Sequence, residues 1–208
     1  MSYRLYYFPL RGRGEQIRLM LHALMQPFED VAVKRDQFVE MKKEGPRQLA
    51  FGSLPMLEDG ELRLVQGPVI LGYLARKHGA APTDLKQAAR ADAIALGAED
   101  LRTKYFGTLS GDNADEKKAA FRDGDWRTRW LPSLEGLLEL NAGTGGTGDT
   151  GFFVGDSLTH ADIAVWDALD GVLTNIAGAT LDGFPRLVRF RESIAKRPAI
   201  AEYLLQRK

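Results

Sequence analysis

Two tyrosines and two arginines stand close together near the start of this 208-residue chain. Tyr6 and Tyr7 end an aromatic-rich run that predicts a strand, and Arg11 and Arg13 follow just before a helix pattern begins. Cations and the N-terminal end of a helix attract an anion, and a phenol can donate a hydrogen bond to it. The same residues also fit a simpler interpretation, in which the tyrosines pack in the strand and the arginines are solvated.

Two further segments are suited to holding a ligand. At Gln66 and Gly67 a predicted strand gives way to a helix, with Pro68 as its expected first residue, and backbone N–H groups at a helix start can hold a carboxylate. Residues 52–55 (Gly-Ser-Leu-Pro) form an extended segment that can pair with a ligand backbone as an added strand. Together these features favour a short acidic peptide, and neither a P-loop nor a dinucleotide-binding glycine motif points to a nucleotide.

A sheet is needed to bring these segments together, and residues 1–79 carry its pattern. The predicted order is β-α-β-(α)-β-β-α, with a first strand over residues 3–8, a weak helix near residues 37–44 and a hairpin turn at Asp59-Gly60. Ligands of open α/β sheets bind where strands turn into helices at the carboxyl ends. The sequence therefore predicts an α/β domain over residues 1–79 with its site at that edge.

The strand pattern disappears after a linker at residues 80–83. An all-helical domain is predicted over residues 84–208, and Thr159 followed three residues later by Asp162 indicates a capping box at one helix start. The predicted helices span residues 85–109, 121–140, 158–173, 185–194 and 198–205, and a glycine-rich loop spans 141–151.

Composition excludes several classes of protein. Lys and Arg together number 28, as do Asp and Glu, so a neutral chain has no electrostatic basis for binding nucleic acid or an anionic membrane. The absence of cysteine removes disulfides, thiolate metal sites and a cysteine nucleophile, and the three histidines lack metal-ligand spacing. No apolar run is long enough to cross a bilayer, so we expect a cytoplasmic protein without a bound metal.

Four segments resemble cytosolic glutathione S-transferases, closest to the pi and sigma classes. They are Tyr-Phe-Pro-Leu-Arg-Gly-Arg at 7–13, Gly-Ser-Leu-Pro-Met-Leu-Glu-Asp-Gly at 52–60, Glu-Asp-Leu-Arg-Thr-Lys-Tyr at 99–105 and Gly-Asp-Ser-Leu-Thr-His-Ala-Asp at 155–162. The resemblance implies a thioredoxin-like N-terminal domain, a helical C-terminal domain and a homodimer. It also implies a detoxifying enzyme that joins glutathione, as co-substrate, to small apolar electrophiles.

The resemblance also assigns roles to residues. Tyr7 is the catalytic residue whose hydroxyl donates to the glutathione sulfur. The other glutathione-binding residues are Arg13, Phe38, Lys42, Ser53, Leu54, Pro55 (in a cis peptide bond), Gln66, Gly67 and Asp100 of the partner subunit. The electrophile pocket is expected to be lined by Phe8, Leu10, Tyr105, Leu109 and Ser110.

The chain departs from the family pattern at two of these positions. Phe38 stands where the family usually has tryptophan and cannot donate a hydrogen bond, so Lys42 or Lys43 acts alone on the glycyl carboxylate. Gly67 stands where pi and sigma enzymes carry serine, so we expect Gly67→Ser to tighten glutathione binding.

Phe51 resembles the aromatic key that some classes insert into the other subunit, and it also fits an ordinary core aromatic.

Two other functions remain open at this point. Tyr7 and Arg13 favour the conjugating enzyme, whereas the changes at Phe38 and Gly67 fit a ligand carrier or a structural protein like the lens crystallins of this lineage. An isomerase like the sigma-type prostaglandin synthases would keep the same thiolate chemistry.

Overall fold

The computed structural model describes residues 2–46, 48–143 and 149–207. These form two compact units. The first contains the described residues up to Gly79 together with those from Arg197 onward, and the second runs from Ala80 to Lys196. The predicted combination of an α/β part and an all-helical part is confirmed.

The first unit contains a four-stranded mixed sheet. Its strands are β1 (Tyr3–Tyr7), β2 (Phe28–Ala32), β3 (Met56–Asp59) and β4 (Leu62–Val65), arranged in the order β2-β1-β3-β4. β1 runs parallel to β2 and antiparallel to β3, and β3 and β4 form the hairpin predicted at Asp59-Gly60.

Nine α-helices occur in the part of the chain that the structure describes. They are α1 (Glu15–Ala23), α2 (Arg35–Lys43), α3 (Gly67–Lys77), α4 (Leu85–Phe106), α5 (Ala114–Phe121), α6 (Leu131–Gly143), α7 (His160–Asn175), α8 (Pro185–Ala195) and α9 (Pro198–Gln206). None of these described helices is both long and apolar enough to cross a bilayer.

Side chains of β1 alternate between the two faces of the sheet, as a strand requires. Tyr3, Leu5 and Tyr7 are buried on one face. Tyr6 lies on the other, where it packs against a small cluster that includes Met56. The two neighbouring tyrosines therefore have different surroundings, and only one of them can face a given ligand.

The helical region predicted over residues 121–140 is helical throughout, but it is not one regular α-helix. α5 ends at Phe121, residues Arg122–Trp130 form a π-helical stretch, and α6 begins at Leu131. Gly124 has the non-helical dihedral angles φ −97° and ψ −107°, which interrupt the regular hydrogen-bond ladder. The first three residues of the loop predicted over residues 141–151 belong to α6, which continues to Gly143, and its residues 144–148 lie outside the described part of the chain.

α7 begins as predicted, and all of its residues from His160 to Val172 are buried. The Asp162 carboxylate accepts the backbone N–H of Thr159 at 2.7 Å and that of Phe153 at 2.8 Å, and it also accepts the Thr159 hydroxyl at 2.8 Å. These bonds satisfy donors that a helix start would otherwise leave unpaired in the interior.

The last helix differs from the expected domain organisation. The sequence placed α9 in the helical domain, whereas the structure groups it with the sheet, because it packs on α1. Tyr203 stacks on His22 with ring centroids 4.3 Å apart, and its hydroxyl donates to the buried Glu15 carboxylate at 2.9 Å. Arg207 donates to the same carboxylate at 3.2 Å.

Candidate glutathione site

Tyr7 ends β1 beside the turn that leads into α1. The Arg13 backbone N–H donates to the Tyr7 hydroxyl oxygen at 2.8 Å, and the Tyr7 side chain is almost fully buried. The Tyr7 oxygen is the acceptor in this bond, and a tyrosine hydroxyl can also act as a hydrogen-bond donor. The turn therefore holds the phenol oxygen in place at the end of β1.

Two glycines let this turn pass directly over the Tyr7 ring. A Cβ atom added at Gly14 would lie 2.6 Å from Tyr7 Cδ1, and one added at Gly12 would lie 2.6 Å from the Tyr7 hydroxyl oxygen. Gly12 also has φ +42°, in the region that favours glycine. The glycines of the motif thus determine how closely the backbone approaches the phenol.

Arg18 holds the turn from the α1 side. It is nearly buried, and its guanidinium donates to the Leu10 carbonyl at 3.1 Å and to the Asp30 carboxylate at 2.6 Å. The guanidinium carbon lies 5.8 Å from the centroid of the Tyr7 ring. This arrangement ties the turn to β2 and places a cation beside Tyr7.

Tyr6 has a different electrostatic environment from Tyr7. Partial burial raises the pKa of Tyr6, and the neighbouring Glu58 carboxylate raises it further. Arg4 lies 5.2 Å from the centroid of its ring. These contacts hold Tyr6 on the sheet face opposite to the α1 turn.

The second predicted anion position lies at the start of α3. Gln66 precedes the helix with φ +73°, an uncommon angle for a residue with a side chain, and such strained conformations cluster at ligand-binding sites. The helix begins at Gly67, so Pro68 is its second residue and not the first as predicted.

The Gln16 amide occupies the space that a side chain at position 67 would use. A Cβ atom added at Gly67 would lie 2.5 Å from Gln16 Nε2, and Gln16 is fully buried. The expectation that Gly67→Ser tightens glutathione binding took no account of the Gln16 amide, which would have to move first.

The extended segment before β3 has the predicted backbone form. Ser53 has φ −132° and ψ 147°, and the Leu54–Pro55 peptide bond is cis, as the resemblance implied. Leu54 packs against the same cluster as Tyr6 and Phe38. Ser53 and Leu54 thus lie beside the carboxyl end of β1.

Phe38 contributes an aromatic surface to this part of the unit. Its ring contacts Phe8 edge-on with centroids 5.2 Å apart, and Lys42 Nζ lies 4.7 Å from its centroid. A ring and an ammonium at this distance attract each other. The Phe38 side chain, which has no N–H to donate, therefore contacts Lys42, whose stem also lies beside Gly52.

The structure joins most of the predicted residues of the first unit into one chain of contacts. Lys42, Phe38, Phe8, Tyr7 and Arg13 each lie within hydrogen-bond, ring or van der Waals distance of the next. Gln16, which was not predicted, links Arg13 to Gly67.

Several predicted residues lie outside this chain of contacts. Leu10 is more than half exposed and borders a cavity of about 490 Å³ whose lining includes Phe28 and Tyr203. In the second unit, Tyr105 is buried and its hydroxyl lies against Gly171. A Cβ atom added at Gly171 would lie 2.2 Å from the Tyr105 hydroxyl oxygen. Leu109 is half-buried, and Ser110 and Asp100 are exposed. Their place in a shared electrophile pocket or a dimer site stays a prediction.

Sequence reasoning missed Gln16. The available signal was its position four residues before Met20, which places a polar side chain on the apolar face of α1.

For metal binding, the described residues contain no cluster of three or more His, Asp or Glu side chains that could hold an ion.

Two family models match the chain, the glutathione S-transferase N-terminal domain over residues 1–76 and the C-terminal domain over residues 99–207. Glutathione S-transferase P 2 of Bufo bufo is 32% identical over 203 residues, which cover 98% of this chain and 92% of that protein. A glutathione S-transferase of Dirofilaria immitis is 32% identical over 207 residues, covering 100% and 94%. The structure of a pi-class glutathione S-transferase from Onchocerca volvulus matches with a TM-score of 0.86 and 31% identity, covering 100% of this chain and 94% of that one. The chain therefore belongs to the glutathione S-transferase family of enzymes.

Proposed function

We propose that this protein conjugates the thiolate of glutathione to small apolar electrophiles and that Tyr7 stabilises the thiolate. The observation that carries the proposal is the Tyr7 hydroxyl, whose oxygen accepts the Arg13 N–H at 2.8 Å beneath the turn into α1. That bond directs the hydroxyl hydrogen toward an anion held at the turn. The sulfur then attacks the electrophilic carbon, and the leaving group departs with its electron pair.

The energetic task is to ionise the thiol. An unperturbed thiol has a pKa of about 8.5, so only a few per cent is thiolate at neutral pH. Lowering that pKa by about two units corresponds to about 2.7 kcal/mol. A charge-assisted hydrogen bond from Tyr7 contributes roughly 1.5–3 kcal/mol, and the cationic side chains of Arg13 and Arg18 and the N-terminal dipole of α1 add to it.

The remaining predicted residues fit the rest of glutathione. Gln66 and Gly67 present the start of α3 to the γ-glutamyl carboxylate, and Ser53 and Leu54 lie where the cysteinyl backbone can pair. Lys42, held over Phe38, faces the glycyl carboxylate. Asp100 of the partner subunit completes the γ-glutamyl end.

The second substrate requires an apolar surface beside the sulfur. Phe8 contacts both Tyr7 and Phe38, so it forms one wall next to the thiolate. The other proposed lining residues are Leu10, Tyr105, Leu109 and Ser110. Because the cytoplasm maintains reduced glutathione, we place this detoxifying conjugation there.

Tyr7→Phe tests the activating role. We expect the pKa of bound glutathione, read from thiolate absorbance, to rise by one to two units, in line with the loss of about 1.5–3 kcal/mol. The conjugation rate with an aryl halide should fall with it at neutral pH. Tyr6→Phe, on the opposite face, is the matched control and should leave both unchanged. If glutathione bound to the Tyr7→Phe protein has the same thiolate pKa as in the wild type, Tyr7 is not the activating group.

We also propose a homodimer in which Phe51 is the key between subunits. Phe51 is 84% exposed at φ +58°, so it is not an ordinary core aromatic. The second unit carries a pocket of about 160 Å³ lined mainly by apolar side chains of α4 and α6, among them Ile94 and Leu137. An exposed phenyl group and an apolar pocket are complementary, and Phe51 of the partner subunit fits this description.

Sedimentation measures the assembly. The wild type should have about twice its 23.0 kDa chain mass, and Phe51→Ala should shift it toward the monomer. Met25→Ala is the matched control, since Met25 is 81% exposed and lies elsewhere on the first unit. A Phe51→Ala protein that stays dimeric at every concentration would contradict the role of Phe51.

A further inference from the structure

Gln16 is a fully buried polar side chain near the predicted γ-glutamyl position. Burying an amide is unfavourable unless it is hydrogen-bonded, and the Gln16 Nε2 donates to the Arg13 carbonyl at 3.3 Å. The same nitrogen occupies the space directly beside Gly67, where an added Cβ atom would lie 2.5 Å from it. The amide therefore touches the α1 turn and the start of α3 at once.

These two contacts connect the turn beside the proposed sulfur position with the helix start at the proposed γ-glutamyl position. Arg13, whose carbonyl accepts from Gln16, donates its own N–H to the Tyr7 hydroxyl at 2.8 Å. Gly67 is the first residue of α3 and follows the strained Gln66. A shift of the amide would therefore change the spacing between the sulfur position and the γ-glutamyl position.

We propose that Gln16 is a positioning residue of the glutathione site, which sets the spacing between the α1 turn that presents Tyr7 and the α3 start that holds the γ-glutamyl carboxylate. The proposal rests on the function proposed above. It also accounts for the glycine at position 67, because a side chain there would displace the amide from its present position. Gln16 and Gly67 act as a coupled pair in place of the serine of the pi and sigma pattern.

The first test removes the N–H groups and keeps the length of the side chain. Gln16→Met should weaken glutathione binding about three- to tenfold, the range expected for one hydrogen bond, and raise the pKa of bound glutathione by about half a unit. The thiolate pKa is the decisive readout, since a merely structural role would lower stability without moving it. Gln26→Met is the matched control, because Gln26 also donates to a backbone carbonyl, that of Leu24 at 3.0 Å, and lies beyond the C-terminal end of α1.

The second test is a double-mutant cycle between positions 16 and 67. Gly67→Ser alone should weaken binding, because the serine side chain displaces the Gln16 amide from the Arg13 carbonyl. Gln16→Ala with Gly67→Ser should bind glutathione more tightly than either single variant, since the shorter side chain makes room for the serine hydroxyl. Calorimetric titration measures all four proteins, and thermal unfolding identifies any variant that has not folded.

The outcomes separate this inference from the proposed function. A wild type that binds glutathione, together with a folded Gln16→Met protein of unchanged affinity and thiolate pKa, would overturn the role of Gln16 alone. Additive effects in the cycle would also overturn it, because uncoupled positions do not share one space. A wild type that binds no glutathione would overturn both proposals.

Discussion

Replacing Gly14 by alanine tests how closely the position of Tyr7 controls the thiolate. Gly14 has φ −75° and ψ −24°, which alanine adopts without strain, so the substitution acts through its methyl group alone. That methyl carbon would lie 2.6 Å from Tyr7 Cδ1, whereas ordinary contacts begin at 3.4 Å, so the ring has to move by about 0.8 Å.

The displacement predicts a larger loss of activity than of stability. Overpacking of this kind costs about 1–3 kcal/mol of unfolding free energy, whereas a misplacement of about 1 Å at a reacting group can reduce a rate about a hundredfold. We therefore expect kcat/KM for an aryl halide to fall about 10- to 100-fold and the pKa of bound glutathione to rise by about one unit. The variant should remain folded.

The assay combines thiolate absorbance, conjugation rate and thermal unfolding on the same protein. Gly136→Ala is the matched control, because Gly136 is exposed on α6 and an added Cβ meets nothing within 4 Å. That control should keep the wild-type rate and gain up to about 1 kcal/mol from helix propensity. A folded Gly14→Ala protein with wild-type thiolate pKa and rate would refute the argument that this contact sets the position of Tyr7.

Two further predictions concern the second unit. Burial raises the pKa of Asp162 to about 6, above its ordinary 3.8, so the folded state binds this proton more tightly than the unfolded state. The unfolding free energy of the wild type, measured relative to that of Asp162→Asn, should therefore fall as pH rises from about 4 to 6. Urea titrations of both proteins at several pH values measure this difference. A difference between the two proteins that stays constant with pH would contradict the prediction. Asp167→Ala should destabilise the protein by about 1.5–3 kcal/mol, because the fully buried Arg102 guanidinium loses the carboxylate that accepts from it at 2.7 Å, although it keeps the Glu99 carboxylate at 2.5 Å. Chemical denaturation measures this loss, with Glu192→Ala in an exposed ion pair expected to change little.

Local sequence patterns predicted most of the secondary structure. The hairpin at Asp59-Gly60 and the capping box at Thr159 and Asp162 depend on residues within a few positions of each other, so their spacing carries the information. The kink at Gly124 was missed, because the apolar pattern on both sides of it is helical and a single glycine only weakens a helix.

Family motifs extended this local reading to the candidate site. The motif selected Tyr7 over Tyr6, and strand alternation explains only that the two face opposite ways. The cis Leu54–Pro55 bond likewise followed from the resemblance, since most X-Pro bonds are trans.

The tertiary structure alone decided which side chains meet. Gln16 beside Gly67, Lys42 over Phe38, and α9 packed on α1 each join residues from different elements. Spacing along the chain determines which face of an element is apolar, but the partner of that face depends on how whole helices and strands pack. The sequence by itself therefore determined the elements and the family motifs, whereas the contacts that position Tyr7 and occupy the space at Gly67 arose only from close packing between elements, which no local pattern records.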